Sequence, residues 1–145
     1  MKEQILSTFA AMGFQLEKME NFGYSFHYEG ISYLYIPNDD DEDFLDIAIP
    51  AVVEITEDNR QEAFMLMNEL NSTLMYVKAY KHGDSIWLFY ERELLGGEDI
   101  EKLLSRMILH LENGLDFFHK AMDNSKEESD KSNDDTPTNE TDETT

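Results

Sequence analysis

The apolar residues of this 145-residue chain end abruptly at Met122. Residues 123–145 consist almost entirely of Asp, Glu, Ser, Thr, Asn and Lys, so this stretch cannot offset its ordering entropy by burying apolar surface. Residues 1–122 are long enough to form a single core without help from the rest of the chain. The boundary therefore predicts one folded domain at residues 1–122 and a disordered acidic tail at residues 123–145.

Negative charge extends over the whole chain. There are 32 acidic and 11 basic residues, which give a formal net charge of -21, and residues 1–122 keep -14 once the tail's 9 acidic and 2 basic residues are subtracted. Nucleic acid and anionic membranes favour clustered Lys and Arg, so we expect neither as a partner. A nucleic-acid mimic, an acidic protein that blocks a basic groove, remains an alternative on charge alone.

The chain contains no cysteine, which excludes disulfides and thiolate chemistry and suits a reducing compartment. The N-terminal segment contains Glu3 and lacks an apolar stretch long enough for a signal peptide. No apolar run approaches the length that spans a bilayer. We therefore expect a cytoplasmic protein.

Hydrophobic periodicity predicts the order of the helices and strands. Apolar residues at helical spacing alternate along the chain with segments of strand-like alternation and with turns that contain glycine. The predicted elements are a helix at 2–12, a hairpin at 24–28 and 31–36, a strand at 44–49 with an extension as far as 55 left open, a helix at 59–72, a second hairpin at 74–80 and 85–93, and a helix at 98–122.

This order predicts an α+β fold, in which an antiparallel five-stranded sheet is packed with three helices in the order α-β-β-β-α-β-β-α. Apolar residues point to both faces of the sheet, since Trp87 and Phe89 alternate with Leu88 and Tyr90. The first and third helices can cover one face. The other face then needs the middle helix, a second subunit or a segment of a partner.

The acidic run at residues 39–43 suggests a calcium loop, but its spacing is wrong. Phe44 and Pro50 stand where an EF-hand loop that starts at Asp39 needs Gly and Glu. We therefore interpret the run as a solvated turn.

No other motif has the spacing of a catalytic or metal site. Gly96 and Gly97 precede a helix without the Lys-Ser/Thr pair of a phosphate loop, and there is no serine elbow and no H-E-x-x-H pattern. Of the four histidines, two share the last helix but lie on opposite sides of it. We therefore expect no enzymatic activity, no bound metal ion and no cofactor. The histidines are His27, His82, His110 and His119.

Residues 63–67 of the second predicted helix are apolar on every side, which a helix packed against one surface does not need. Methionine is flexible and polarizable, so the Met and aromatic side chains here and in the last hairpin suit either an ordinary core, a dimer interface or a peptide groove. The predicted partner or dimer surface consists of Phe64, Met67, Tyr76, Trp87 and Phe89.

Residues 1–122 resemble the YbjN-type family, whose fold is similar to that of type III secretion chaperones such as the Tir chaperone. The resemblance implies a homodimer without enzymatic activity that binds another polypeptide, or a regulator of another target. It is carried by the opening helix that ends at Gly13-Phe14, the Glu29-Gly30 turn, the strand at 44–49, the Met-rich second helix and the aromatic strand at 86–90.

Two functional hypotheses follow. The first is a non-enzymatic, chaperone-like module that binds another polypeptide as a homodimer. The second is an acidic signalling regulator or inhibitor, similar to a regulator of sensory transduction, that occupies a basic partner. Binding of apolar segments depends little on salt, whereas binding through charge weakens steeply as salt rises.

Overall fold

A computed structural model describes the backbone of residues 1–134 and the side chains of residues 1–124. Within this part of the chain there are three helices and six strands. The helices are α1 (Lys2–Ala11), α2 (Arg60–Thr73) and α3 (Ile100–Asp134). The strands are β1 (Glu17–Met19), β2 (Gly23–Tyr28), β3 (Ile31–Tyr35), β4 (Phe44–Glu54), β5 (Val77–His82) and β6 (Ser85–Glu93).

All six strands form one antiparallel sheet in the order β1-β2-β3-β4-β6-β5. Both predicted hairpins are confirmed, since β2 pairs with β3 and β5 pairs with β6. Helix α2 carries the chain from β4 past β6 to the edge of the sheet, so β6 lies between β4 and β5. The last hairpin therefore supplies both a central strand and an edge strand.

The predicted five-stranded sheet is wrong, because the sheet formed by the described residues has six strands. The additional strand is β1, which is three residues long and pairs with β2. All three of its residues are exposed, so β1 has no alternation of apolar and polar residues that would reveal it in the sequence. Its position depends on pairing with its neighbour.

All three helices pack on the same face of the sheet. The core beneath them contains Ile5 and Phe9 of α1, and a stripe of α2 formed by Ala63, Leu66 and Leu70. Helix α3 approaches the sheet closely at Gly114, where an added Cβ would lie 3.0 Å from a side-chain carbon of Val77 in β5. The middle helix thus shares the face of the other two, and no helix of residues 1–134 packs on the opposite face of the sheet.

Strand β4 continues through Pro50, although its pairing with β6 shifts between Ile49 and Val53. Ala51 in this interval has a φ of 49°, which is unfavourable for a residue with a Cβ. The strand before the irregularity presents Leu45, Ile47 and Ile49 to the core. The extension that the sequence left open is therefore part of one bulged strand.

Helix α3 runs to Asp134 and so continues past the predicted domain boundary at residue 122. Residues 135–145 of the predicted disordered tail lie outside the described residues. The division into a domain at 1–122 and a disordered tail at 123–145 stays a prediction.

Candidate partner-binding surfaces

The five residues predicted for a partner or dimer surface lie on two sides of the sheet. Trp87 and Phe89 belong to a cluster on the face that has no helix. Phe64 and Met67 are on α2, and Tyr76 stacks on a core residue of the helical side. The structure therefore separates the predicted surface into two groups, because side chains from a strand and from a helix packed behind it need not share a face.

We call the face without helices the open face. Its apolar centre is a small cluster separate from the main core, in which Leu34, Ala48, Trp87 and Phe89 are buried and Ile36 is partly buried. Since no helix covers these side chains in the described part of the chain, they shield one another in a single layer. The open face is thus apolar at its centre.

Aromatic rings form a continuous row across the open face. Trp87 is 5.6 Å from Phe22 and 4.4 Å from His82 between ring centroids, and 6.0 Å from Phe89. Phe89 in turn stacks on Tyr80 at 4.0 Å. Phe22 and Tyr80, at the ends of the row, are each 39% exposed. Partly exposed aromatic rings beside buried ones are typical of protein interaction sites.

An acidic pair lies beside this row. Asp46 of β4 is directly opposite Glu91 of β6 in the sheet register. Asp46 is only 5% exposed, and its Oδ1 has no hydrogen-bond partner among the described residues. Tyr80 donates a hydrogen bond from Oη to Glu91 Oε2 at 3.3 Å. The pair therefore joins a buried carboxyl group to one that reaches solvent.

Burial, followed by the negative charge of Glu91 as the smaller cause, raises the pKa of Asp46 to about 7. An unsatisfied polar group in a buried position costs about 1–3 kcal/mol, and like charges directly opposite each other on neighbouring strands also destabilise the pair. Asp46 is thus an unfavourable residue for the stability of the isolated chain.

No cation of the described side chains neutralises this pair. The single ion pair within 4.0 Å in that part of the chain joins Arg92 Nη2 to Glu98 Oε2 at 2.7 Å. Lys78 of β5 instead donates from Nζ to the carbonyl oxygens of Asn71 and Leu74 at 2.9 and 3.0 Å. Its charge is therefore held at the C-terminal end of α2.

Both edges of the sheet are poorly suited to adding another strand. The outward backbone groups of Ala79 in β5 are bound by Asn71, whose Oδ1 accepts from the amide at 2.7 Å and whose Nδ2 donates to the carbonyl at 2.9 Å. At the other edge, β1 is only three residues long. A capped edge and a very short edge strand both hinder strand pairing, which makes the face a better docking surface than the edges.

A second apolar surface lies on α2. Phe64 is 38% exposed and Met65 is 64% exposed, although their neighbours on the helix are buried in the core. Both side chains line an open groove of about 1080 Å³ that also reaches Ala121 of α3. Met67 is half-buried and packs against the core. The all-round apolar segment of the sequence therefore has one buried stripe and one exposed side.

Metal-binding side chains do not converge among the described residues. No set of three or more His, Asp or Glu side chains there is arranged to hold a metal ion. His27 is hydrogen-bonded to Ser32, His82 packs on Trp87 and His110 packs on Tyr76. Within the same residues, no helix has the length and apolar character needed to cross a membrane.

Sequence reasoning missed two residues of the open face, namely Phe22 and Asp46, as site residues. Phe22 lies in the turn between β1 and β2. Hydrophobic periodicity does not predict which surface the side chain of a turn residue contacts. Asp46 did carry a signal, because it is an acidic residue in the middle of the apolar strand 44–49. Its significance depends on the pairing with Glu91, which the sequence does not reveal.

The fold and these surfaces define an α+β domain with one antiparallel sheet, helices on one face and an aromatic opposite face. No protein-family model matches the chain, and neither does any curated protein. Among solved structures, the crystal structure of YbjN from E. coli, a proposed transcription regulator, is similar with a TM-score of 0.62 at 10% sequence identity, over 86% of this chain and 93% of that chain. The chain thus has a YbjN-like fold, as the sequence predicted. At this identity the similarity shows the fold alone.

Proposed function

We propose that this chain is a non-enzymatic, chaperone-like module that binds a segment of another polypeptide across the open face. The observation that carries the proposal is the aromatic row from Phe22 to Tyr80 on the open face, on which none of the described helices packs. Such a row offers a partner a rigid apolar surface at little cost in side-chain entropy. The capped edge at Asn71 favours docking on the face over addition of a strand.

The same proposal assigns α2 to a homodimer interface. Phe64 and Met65 are exposed apolar side chains on a helix that already buries its opposite side. A closed two-fold contact would remove them from water in both protomers at once. Because each protomer is strongly acidic, apolar burial has to outweigh the mutual repulsion, and raised salt should tighten the dimer.

A second candidate function is an acidic regulator that occupies a basic partner. The net charge of -21 favours it, because such a surface attracts basic partners over long distances. The proposed transcription regulator YbjN has the same fold. Salt separates the two candidates, since a regulator held by charge should lose most of its affinity between low and high ionic strength.

The test uses Trp87, the only tryptophan of the chain, as an internal reporter on the open face. Short peptides without tryptophan, selected from a random library against the full chain, are titrated while Trp87 emission is followed. Phe22→Ser and Phe64→Ser are a matched pair, since the two rings are 39% and 38% exposed on the two sides of the sheet.

We expect Phe22→Ser to weaken peptide binding by about tenfold or more, equivalent to about 1.4 kcal/mol, and to leave the oligomeric state unchanged. Phe64→Ser should leave peptide affinity unchanged and shift light scattering towards the monomer. Equal peptide affinity of both variants and the parent chain would refute the assignment of the open face. A parent chain that is monomeric at low and high salt would refute the dimer.

A further inference from the structure

Two carboxyl groups face each other on the open face, at a place where packing alone favours apolar side chains. Asp46 and Glu91 are partners in the register of β4 and β6, and their neighbours along the same strands, Ala48 and Phe89, belong to the apolar cluster. Asp46 Oδ1 is buried without a hydrogen-bond donor among the described residues. A buried acceptor that the described residues leave unsatisfied can accept a hydrogen bond from a donor outside them.

An aromatic side chain lies directly beside the acidic pair. The Tyr80 ring stacks on Phe89 with an interplanar angle of 5°, and its hydroxyl holds Glu91 Oε2. Since Tyr80 is 39% exposed, part of this aromatic wall is open to an incoming group. An aromatic face beside two carboxylates attracts a cation both by charge and by its quadrupole.

The side chains of residues 1–124 do not supply this cation from the open face. Lys78 donates its Nζ hydrogens to two main-chain carbonyl oxygens, and His82 packs against Trp87. His27, farther along the sheet, is hydrogen-bonded to Ser32. By strand register, the titratable side chains of this face are acidic or engaged elsewhere, namely Glu17, His27, Asp46, Lys78, Tyr80, His82, Glu91 and Glu93.

We propose that Asp46 and Glu91 form an acceptor site for the guanidinium group of one arginine in the bound polypeptide segment. This proposal rests on the proposed function, because the arginine belongs to the segment that docks on the open face. Arginine fits better than lysine, since its planar fork can donate to both carboxylates, stacks on an aromatic ring and gives up its hydration more readily.

The proposed site gives the open face a selectivity that an apolar surface lacks. A segment with a neutral residue at this position would bury Asp46 further without supplying a donor. A segment with arginine would satisfy Oδ1 and neutralise the pair. Discrimination by a buried group left unpaired is stronger than discrimination by apolar shape.

The test compares peptides that differ in one side chain. A peptide selected on the open face and containing one arginine is synthesised in three versions, with arginine, with lysine and with citrulline, which has the shape of arginine but no charge. We expect citrulline to weaken binding by about tenfold or more and lysine to fall between the two. In Asp46→Asn the preference for arginine over citrulline should largely disappear. Glu57→Gln, an equal change of charge at an exposed turn residue, should retain it.

A second measurement reads the site without a peptide. The carboxyl carbon of Asp46 is followed by NMR against pH, with and without N-acetyl-arginine methylamide, and a cation at the site should lower the pKa of Asp46. Equal affinity for arginine and citrulline peptides would overturn the arginine site and leave the proposed function standing. Loss of the preference in Glu57→Gln as well would overturn the site, since the effect would then come from net charge. Should no peptide bind, a lowered Asp46 pKa would support the site alone, and an unchanged pKa would overturn both.

Discussion

Replacing Asp46 with asparagine should stabilise the protein at neutral and alkaline pH. The unfolded carboxyl group has an ordinary pKa of 3.8, whereas burial and Glu91 raise the pKa of Asp46 in the folded chain to about 7. Between these values the folded state binds more protons than the unfolded state, so the free energy of unfolding of the parent chain falls as pH rises. The loss begins near pH 4 and is complete above pH 7.

The size of the effect follows from the difference of about three pKa units at about 1.4 kcal/mol each, which gives roughly 4 kcal/mol at pH 8. Asparagine does not titrate, and therefore it avoids this loss while nearly keeping the shape of the side chain. Its buried amide also lacks a partner, which offsets about 1–3 kcal/mol of the gain at every pH. The pH-dependent part of the gain, about 3 kcal/mol between pH 5 and pH 8, is the part that reports the charge.

Urea unfolding of Asp46→Asn and the parent chain at pH 5 and pH 8, followed by the emission of Trp87, measures this difference. Both pH values lie above the isoelectric point of about 4.2. Other titrating groups are common to the two proteins and cancel in the difference, and Glu57→Gln controls for the loss of one negative charge. A stability difference that stays the same at both pH values would show that Asp46 is not buried as a charge, and would refute the reasoning.

Two further substitutions test the packing of the sheet. Gly23→Ala should lower the free energy of unfolding in urea by more than about 3 kcal/mol, because φ is 88° and the added Cβ would lie 2.3 Å from the carbonyl oxygen of Tyr35. The control Gly30→Ala, with a φ of 79° and open space around the added Cβ, should lower it by about 1–2 kcal/mol. Equal losses in the two variants would contradict the close approach at Gly23. Asn71→Ala should lower the free energy of unfolding by about 1–3 kcal/mol, because it leaves two backbone groups of β5 without partners, and it should increase aggregation measured by light scattering. The control Asn68→Ala, on the exposed surface of α2, should change the free energy of unfolding by less than about 0.5 kcal/mol. Equal behaviour of the two variants would show that Asn71 does not protect the edge strand.

The elements with strong periodicity could be predicted from the sequence. Helices α1 and α2 and both hairpins lie close to their predicted positions, because each buries one regular stripe or alternation of apolar residues. The alternation of Trp87 and Phe89 with Leu88 also separates the two sides of β6 correctly. The local sequence pattern is sufficient to predict a helix or strand wherever one face of that element is buried.

Features that depend on pairing between distant segments could not be predicted. Strand β1 has three exposed residues and exists through its register with β2. The position of β6 between β4 and β5 places Glu91 opposite Asp46, and no local pattern contains this information. For the same reason the sequence joined Phe64 and Trp87 into one surface, although α2 and the open face lie on opposite sides of the sheet.

The location of Asp46 explains how one face could be both apolar and selective. A solvent-facing strand would carry polar residues at every second position, yet Ala48, two residues further along β4, is fully buried in the apolar cluster. Asp46 therefore fits neither a wet surface nor a completed core, and its cost to stability persists in the free chain. A bound segment without a cation would leave Asp46 unsatisfied and would therefore bind more weakly than a segment with one. The instability of the free protein and the selectivity of the proposed complex thus have the same origin. Removing the charge should accordingly improve folding and impair discrimination in the same variant.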